Sequence, residues 1–132
     1  MRTPCYCAAI RAAARKTTAL YDEALAPAGL NLAQYSLMRR IEGAEPISLT
    51  ELARAAELDR STVGRNVRVL QRLRLVRLES AEDQREAAVR LTAAGIEALR
   101  RGAPFWNEAQ RRVEATLGLE QAKQLRALAL AL

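Results

Sequence analysis

Histidine is absent from this chain of 132 residues, and cysteine and aromatic residues are scarce. Without histidine no His-based catalytic triad can form, and two cysteines are too few for the common zinc sites. Aromatic residues make up only 4%, so the core and any interface must consist mainly of Leu, Ala and Val. We expect no metal and no cofactor. We also expect no enzyme, because no recognisable set of nucleophile, base and orienting group occurs.

Long apolar runs are also lacking. No stretch of about 18 apolar residues occurs, so no membrane-spanning helix is predicted. The first five residues, Met1 to Cys5, contain no apolar segment of the kind that marks a secreted chain. These absences predict a cytoplasmic protein with no membrane partner, in which the cysteines are free thiols. A mass of 14.6 kDa predicts a single domain.

Acidic residues are outnumbered, with 15 Asp and Glu against 21 Lys and Arg. Lys16 and Lys123 are the only lysines, so arginine carries the excess of +6. Six arginines lie between positions 60 and 77 without one acidic residue, namely 60, 65, 68, 72, 74 and 77. They therefore lack acidic partners at short range, and their field favours a polyanionic partner. The alternative is that the arginines reflect genome composition or form only a solvated face.

Capping signals and apolar periodicity predict four helices in the first half of the chain. Apolar residues at helical spacing predict a helix over 5–26, which a proline and a glycine end. Asn31 with Gln34, and Ser48 with Glu51, have the spacing of capping boxes that begin the next two helices.

The fourth predicted helix runs from its N-cap, Asp59, to about Leu73. Val63, Val67 and Leu70 are predicted to face inward. The opposite face carries Ser61, Arg65, Arg68 and Arg72.

Two strands, 75–79 and 87–91, are predicted to form an antiparallel hairpin with a polar tip. Arg77 and Arg90 make both arms basic, and Arg85 near the tip is able to enter a minor groove. The acidic residues of the hairpin are predicted to form ion pairs rather than a metal site.

The last third is predicted to be helical. Thr92 caps a long helix that Pro104 kinks or breaks and Gly118 ends. Phe105 and Trp106 are predicted to be core residues at the kink. The last segment, 119–132, carries a stripe formed by Ala122, Leu125, Ala129 and Leu132, with Leu128 beside it.

A short helix, a tight turn, an arginine-bearing helix and a hairpin together form a winged helix-turn-helix, whose second helix fits the major groove. The sequence resembles the MarR-type transcription regulators over nearly its whole length. The matching motifs are Gly29-Leu30-x-x-x-Gln34-Tyr35, Leu49-Thr50-Glu51-Leu52-Ala53, Asp59-Arg60-Ser61-Thr62-Val63-x-Arg65, Asp83-x-Arg85 and Val89-x-Leu91-Thr92-x-x-Gly95.

The resemblance implies a mainly α fold with a β-hairpin wing, flanked by dimerisation helices. It implies a homodimeric regulator of double-stranded DNA, in most such families a repressor, with an inverted-repeat site and release by a small effector. Ser61, Thr62, Arg65 and Arg68 would approach bases or phosphates. Asp83 would brace the wing while Arg85 reaches the minor groove.

The resemblance also implies a domain organisation. Residues 1–132 form one domain, with a DNA-binding lobe at 30–98 and dimerisation helices within 1–29 and 99–132. The amphipathic terminal helices independently require a partner for their apolar stripes. The alternative is that they pack only on each other within one subunit.

The resemblance suggests two candidate sites for a regulatory signal. Cys7 lies at a helix start, where the peroxide-sensing branch of the family keeps its reactive cysteine, and Tyr21 matches one tyrosine that holds that thiol. Leu32 stands where the second tyrosine would be, and the alternative is that Cys5 and Cys7 are inert small hydrophobes. The resemblance also allows a small-molecule pocket that Trp106 lines. A further alternative is a nonspecific architectural DNA-binding protein.

Overall fold

The computed structural model describes residues 2–80 and 87–132, which contain six α-helices and a three-stranded sheet. The elements are α1 (Tyr6–Leu25), a 3-10 turn (Ala26–Ala28), α2 (Leu32–Ala44), β1 (Ile47–Ser48), α3 (Leu49–Ala56), α4 (Arg60–Arg72), β2 (Val76–Ser80), β3 (Ala87–Leu91), α5 (Ala93–Leu117) and α6 (Leu119–Ala131). The mainly α winged helix-turn-helix with flanking helices is confirmed.

The predicted caps of α2 and α3 are present. Asn31 Oδ1 accepts from Gln34 N at 2.8 Å while Gln34 Oε1 accepts from Asn31 N at 3.0 Å, which completes the capping box. Ser48 Oγ accepts from Glu51 N at 3.1 Å at the start of α3. Caps of this kind satisfy backbone donors that the first helical turn leaves unpaired, so they fix where each helix begins.

The sheet contains one strand more than the sequence predicts. Its order is β1-β3-β2, and all neighbours are antiparallel. The short β1 pairs Ile47 with Val89. A strand of two residues is too short to show a period of two, so only its pairing reveals it. Beside it, Glu45 Oε2 accepts from Leu91 N at 2.8 Å and extends the contact to β3.

The core lies between α2, α3, α4 and the sheet, and the end of α1 and the first turns of α5 also contribute to it. Its largest fully buried side chains are Leu25, Met38, Ile41, Leu52, Val63, Val67, Leu70 and Val89. The inward face predicted for α4 is therefore confirmed. Left-handed Glu57, with φ of 55°, ends α3 and makes the tight turn into α4.

The beginning of α5 is joined to the end of α4. Thr92 Oγ1 donates to Arg74 O at 2.7 Å and accepts from Gly95 N at 3.0 Å, which confirms the predicted cap. A Cβ at Gly95 would lie 2.1 Å from Leu75 O, so only glycine permits this approach. The segment between α4 and β2 is thus fixed to the first turn of α5.

α5 continues through Pro104, so of the predicted kink or break the break is wrong. Buried Gly102 and Ala109 hold the helix on both sides of the proline, and this packing compensates for the missing backbone donor. Trp106 packs against the core as predicted, whereas Phe105 is 36% exposed and is not a core residue.

α1 and α6 each pack against α5. In α6 only Ala122 is buried, while Leu125, Leu128 and Leu132 are 54%, 63% and 97% exposed. The predicted stripe is therefore largely uncovered in one chain. No helix within the described part of the chain is long and apolar enough to cross a membrane.

Candidate nucleic-acid interface

The outer face of α4 is the strongest candidate for contact with a polyanion. Ser61, Arg65, Arg68 and Arg72 are all exposed, opposite the buried face of the helix. Within residues 2–80 and 87–132, no carboxylate pairs with Arg65, Arg68 or Arg72. Their charge is therefore available to a partner.

The first turn of α4 is organised by Asp59. This residue occupies the N-cap position, but its carboxylate accepts a hydrogen bond from Ser61 Oγ at 2.6 Å rather than capping the backbone. The hydrogen bonds from Ser61 and then Thr62 hold the pKa of Asp59 below its usual range. Thr62 Oγ1 in turn accepts from Arg65 Nη2 at 3.3 Å. The polar residues at the start of α4 thus orient one another.

Arg77 is an exception to the expected lack of acidic partners. Its Nη2 lies 2.9 Å from Glu79 Oε1, so the expectation that all six arginines between 60 and 77 escape acidic pairing is wrong. The two residues are two apart on one strand and therefore share a face, and Glu79 lies just beyond the acid-free range 60–77.

Glu79 also contacts the second arm of the hairpin. Its Oε2 accepts from Arg90 Nε at 2.9 Å, and this bond is the main cause of the lowered pKa of Glu79. The predicted ion pairing of the hairpin is confirmed for this residue. Asp83 and Arg85, predicted to brace the wing and enter the minor groove, lie outside the described residues.

The two residues of the predicted thiol site lie far apart in one chain. Cys7 is exposed in the first turn of α1, and Tyr21 follows fourteen residues later, about 21 Å along the helix axis. Tyr21 is buried and its hydroxyl donates to Gln110 Oε1 on α5. Burial is the main cause of its raised pKa. A cavity of about 340 Å³ joins Cys5 and Cys7 to Arg11 and Arg15.

Trp106 lines an open cavity of about 340 Å³ between α2 and α5, together with Ser36, Arg39 and Arg40. The guanidinium carbon of Arg39 lies 4.5 Å from the centroid of the indole ring. Tyr35 stacks on Trp106 with ring centroids 6.1 Å apart. Arg39 and Arg40 were not predicted as site residues, although two adjacent basic residues in α2 are a signal visible in the sequence.

Metal ligands do not cluster in the described ranges. No group of three or more Cys, Asp or Glu there stands close enough to hold a metal ion. The candidate interface is therefore described by its organic groups alone: the arginines, the hydroxyl groups of Ser61 and Thr62, and the Glu79 carboxylate that bridges two arginines.

Comparison with known proteins gives a consistent result. Residues 28–86 match the sequence profile of the MarR family. The transcriptional regulator MosR of M. tuberculosis, solved in complex with DNA, is 34% identical over 97% of this chain and 96% of that chain, with a TM-score of 0.85. A probable transcriptional regulator from Pseudomonas aeruginosa is 25% identical over 96% of this chain and 95% of that chain, with a TM-score of 0.87.

A more distant neighbour shares the fold. MepR of S. aureus, solved as a DNA complex, is 19% identical over 98% of this chain and 96% of that chain, with a TM-score of 0.84. No curated protein matches the sequence. With MosR above 30% identity along almost the full length and the family profile matched across the helix-turn-helix, the chain belongs to the MarR family of winged-helix, DNA-binding transcription regulators.

Proposed function

We propose that this protein is a sequence-specific repressor that binds an inverted-repeat operator as a homodimer. The observation that carries the proposal is the exposed face of α4, on which three arginines have no carboxylate partner in the described chain. A helix of this width fits the major groove, where arginine pairs with guanine through two hydrogen bonds. Ser61, Thr62, Arg65, Arg68 and Arg72 make the contacts in α4. Arg85, which lies outside the described residues, is the residue proposed to contact the minor groove.

We propose that the chain is organised into two parts to serve this function. Residues 30–98 form the DNA-binding lobe, and 1–29 with 99–132 form the dimerisation region. The exposed leucines of α6 support a second copy of the chain as their cover, because a monomer would leave this apolar face in water. A twofold dimer presents two copies of α4 to two half-sites.

The cavity between α2 and α5 is a candidate effector site. Arg39 and Arg40 offer two cations, and Trp106 offers a flat apolar wall, so a small planar anion suits it. Since Trp106 is the only tryptophan, its fluorescence reports on binding. Benzoate should quench that fluorescence in the wild type and much less in Arg39→Gln, and saturating benzoate should weaken operator binding.

A thiol-based peroxide response is a second candidate. Its specific support is the exposure of Cys7 beside Arg11 and Arg15, because access and neighbouring cations are features of reactive cysteines. The hydroxyl of Tyr21 is too far from Cys7 to hold it within one chain, so any such contact requires the second copy.

The test of the main proposal is selection of bound duplexes from a random pool in the presence of excess competitor DNA. A specific dimer should enrich an inverted repeat with half-sites about one helical turn apart. Enrichment of no motif, with equal affinity for every duplex, would support a nonspecific architectural protein instead.

A further inference from the structure

Two arginines face each other at the base of the wing. Arg77 of β2 and Arg90 of β3 are direct partners in the antiparallel register. Like charges at such positions destabilise a sheet. The neighbouring pair, Val76 and Leu91, is buried in the core, so Arg77 and Arg90 point to the opposite, outer face.

Glu79 bridges this pair. One carboxylate oxygen lies 2.9 Å from Arg77 Nη2 and the other lies 2.9 Å from Arg90 Nε. The exposed fractions of the Arg77, Glu79 and Arg90 side chains are 61%, 37% and 35%. The cluster thus reaches solvent and keeps one net positive charge.

The bridge leaves most of the guanidinium donors unused. Arg90 contacts Glu79 through Nε, so its terminal nitrogens have no acidic partner in the described ranges. Arg77 is engaged through one terminal nitrogen. A guanidinium has five N–H donors in a fixed plane, and two such groups held side by side suit the oxygens of a phosphodiester.

The location also suits DNA. β2 begins four residues after α4 ends, and β3 pairs through Ala88 with Ser48, the cap of α3. The two arginine-bearing strands are therefore connected to the helix-turn-helix, β2 by a short segment after α4 and β3 by direct pairing with the cap of α3. A backbone phosphate that flanks the groove proposed for α4 is the DNA group that this pair would bind.

We propose that Arg77 and Arg90 form a clamp for one DNA backbone phosphate and that Glu79 is the positioning residue of this clamp. The inference rests on the proposed DNA-binding function. Glu79 holds the two guanidiniums in one geometry and cancels one of their charges. It thereby limits attraction to any DNA and favours the duplex whose backbone fits.

The test compares Glu79→Gln with Glu108→Gln, which breaks an exposed ion pair with Arg111 on α5 and changes the net charge equally. Dissociation constants are measured for the selected operator and for a scrambled duplex of equal length, between about 50 and 200 mM salt. Thermal unfolding checks that each variant is folded, and exposed pairs of this kind contribute little to stability.

Glu79→Gln should tighten binding to the scrambled duplex and steepen its salt dependence by about one counterion, or about threefold in affinity over this range. Operator affinity should not rise equally, so the ratio of the two affinities should fall. Arg90→Gln should weaken both complexes and reduce the salt slope by about one. Glu108→Gln should change neither the slope nor the ratio.

Two results would overturn the clamp. One is an equal effect of Glu79→Gln and Glu108→Gln, which would show that net charge alone acts. The other is an unchanged salt slope in Arg90→Gln, which would place that guanidinium away from phosphate. If the wild type itself did not distinguish operator from scrambled duplex, the proposed function would fail, whatever the variants do.

Discussion

Gly102 of α5 lies directly against the ring of Tyr35 of α2, so that a Cβ at Gly102 would come within 2.9 Å of Tyr35 Cε2. This contact is where the long helix crosses the DNA-binding lobe, and Tyr35 stacks on Trp106 one turn further along α5. Tyr35 is only 4% exposed, so an added methyl group at Gly102 would press against a buried ring.

Gly102→Ala should therefore destabilise the protein by about 1–3 kcal/mol, because overpacking in a rigid core outweighs the better helix propensity of alanine. Gly43→Ala in α2 is the matched control, since nothing lies within 4 Å of its added Cβ. We expect that control to be neutral or slightly stabilising in urea unfolding. Equal stability of both variants would show that α5 and α2 adjust freely at this crossing.

Arg65→Ala should weaken binding to the selected operator by about 1–3 kcal/mol if Arg65 pairs with a guanine. Its exposed position near the start of α4 and its contact with Thr62 support a base contact. Arg101→Ala on the exposed surface of α5 is the control for loss of one positive charge. If operator and random DNA lost affinity equally in Arg65→Ala, Arg65 would contact phosphate instead.

The elements around α4 could be predicted from the sequence because each has a local signal. Asn31 and Gln34 cap the helix in which they lie, and Val63 and Val67 are buried on one face because their spacing matches the helical period. Relationships across the chain lack such a signal. The strand at Ile47, the bridge from Glu79 to Arg90 and the packing that carries α5 through Pro104 depend on distant partners.

The dimer should depend on one side of α6. Leu128→Ser removes an exposed leucine from the face shared with Leu125 and Leu132. A buried leucine contributes about 2 kcal/mol, and a twofold interface loses two of them. The dissociation constant of the dimer should therefore rise about a thousandfold. Leu130→Ser, about 200° around the helix, should have a smaller effect. Sedimentation equilibrium measures both, and a stable Leu128→Ser dimer would place the interface elsewhere.

Acid should remove the small stabilisation that the hydrogen bonds of Asp59 and Glu79 provide, which is modest because solvent screens both carboxyls. Each carboxyl has a lowered pKa in the folded protein, Asp59 mainly through Ser61 and Glu79 mainly through Arg90. The pKa in the unfolded chain is 3.8 for Asp59 and 4.5 for Glu79. Because the pKa of each carboxyl is lower in the folded protein, its contribution to stability is present above the unfolded pKa and is lost as pH falls through the folded pKa. In Asp59→Asn and in Glu79→Gln, the urea midpoint should fall less steeply below about pH 4.5 than in the wild type. Parallel acid limbs in all three proteins would show that these bonds do not persist in solution.

Cys7 should be oxidised by organic peroxide, because its thiol is exposed and the neighbouring cavity carries Arg11 and Arg15. The first product is a sulfenic acid, in which the thiolate sulfur takes one oxygen from the peroxide and the corresponding alcohol leaves. A new polar group in the first turn of α1 should disturb a dimer built on the terminal helices, shift the two copies of α4 relative to each other and lower operator affinity.

A gel shift with and without cumene hydroperoxide measures the operator affinity of wild type, Cys7→Ser and Cys5→Ser. Release from DNA in wild type but not in Cys7→Ser identifies Cys7 as the sensor. Retention of DNA by peroxide-treated wild type would show that Cys7 is not a sensor. Release in both wild type and Cys7→Ser would assign the response to another group.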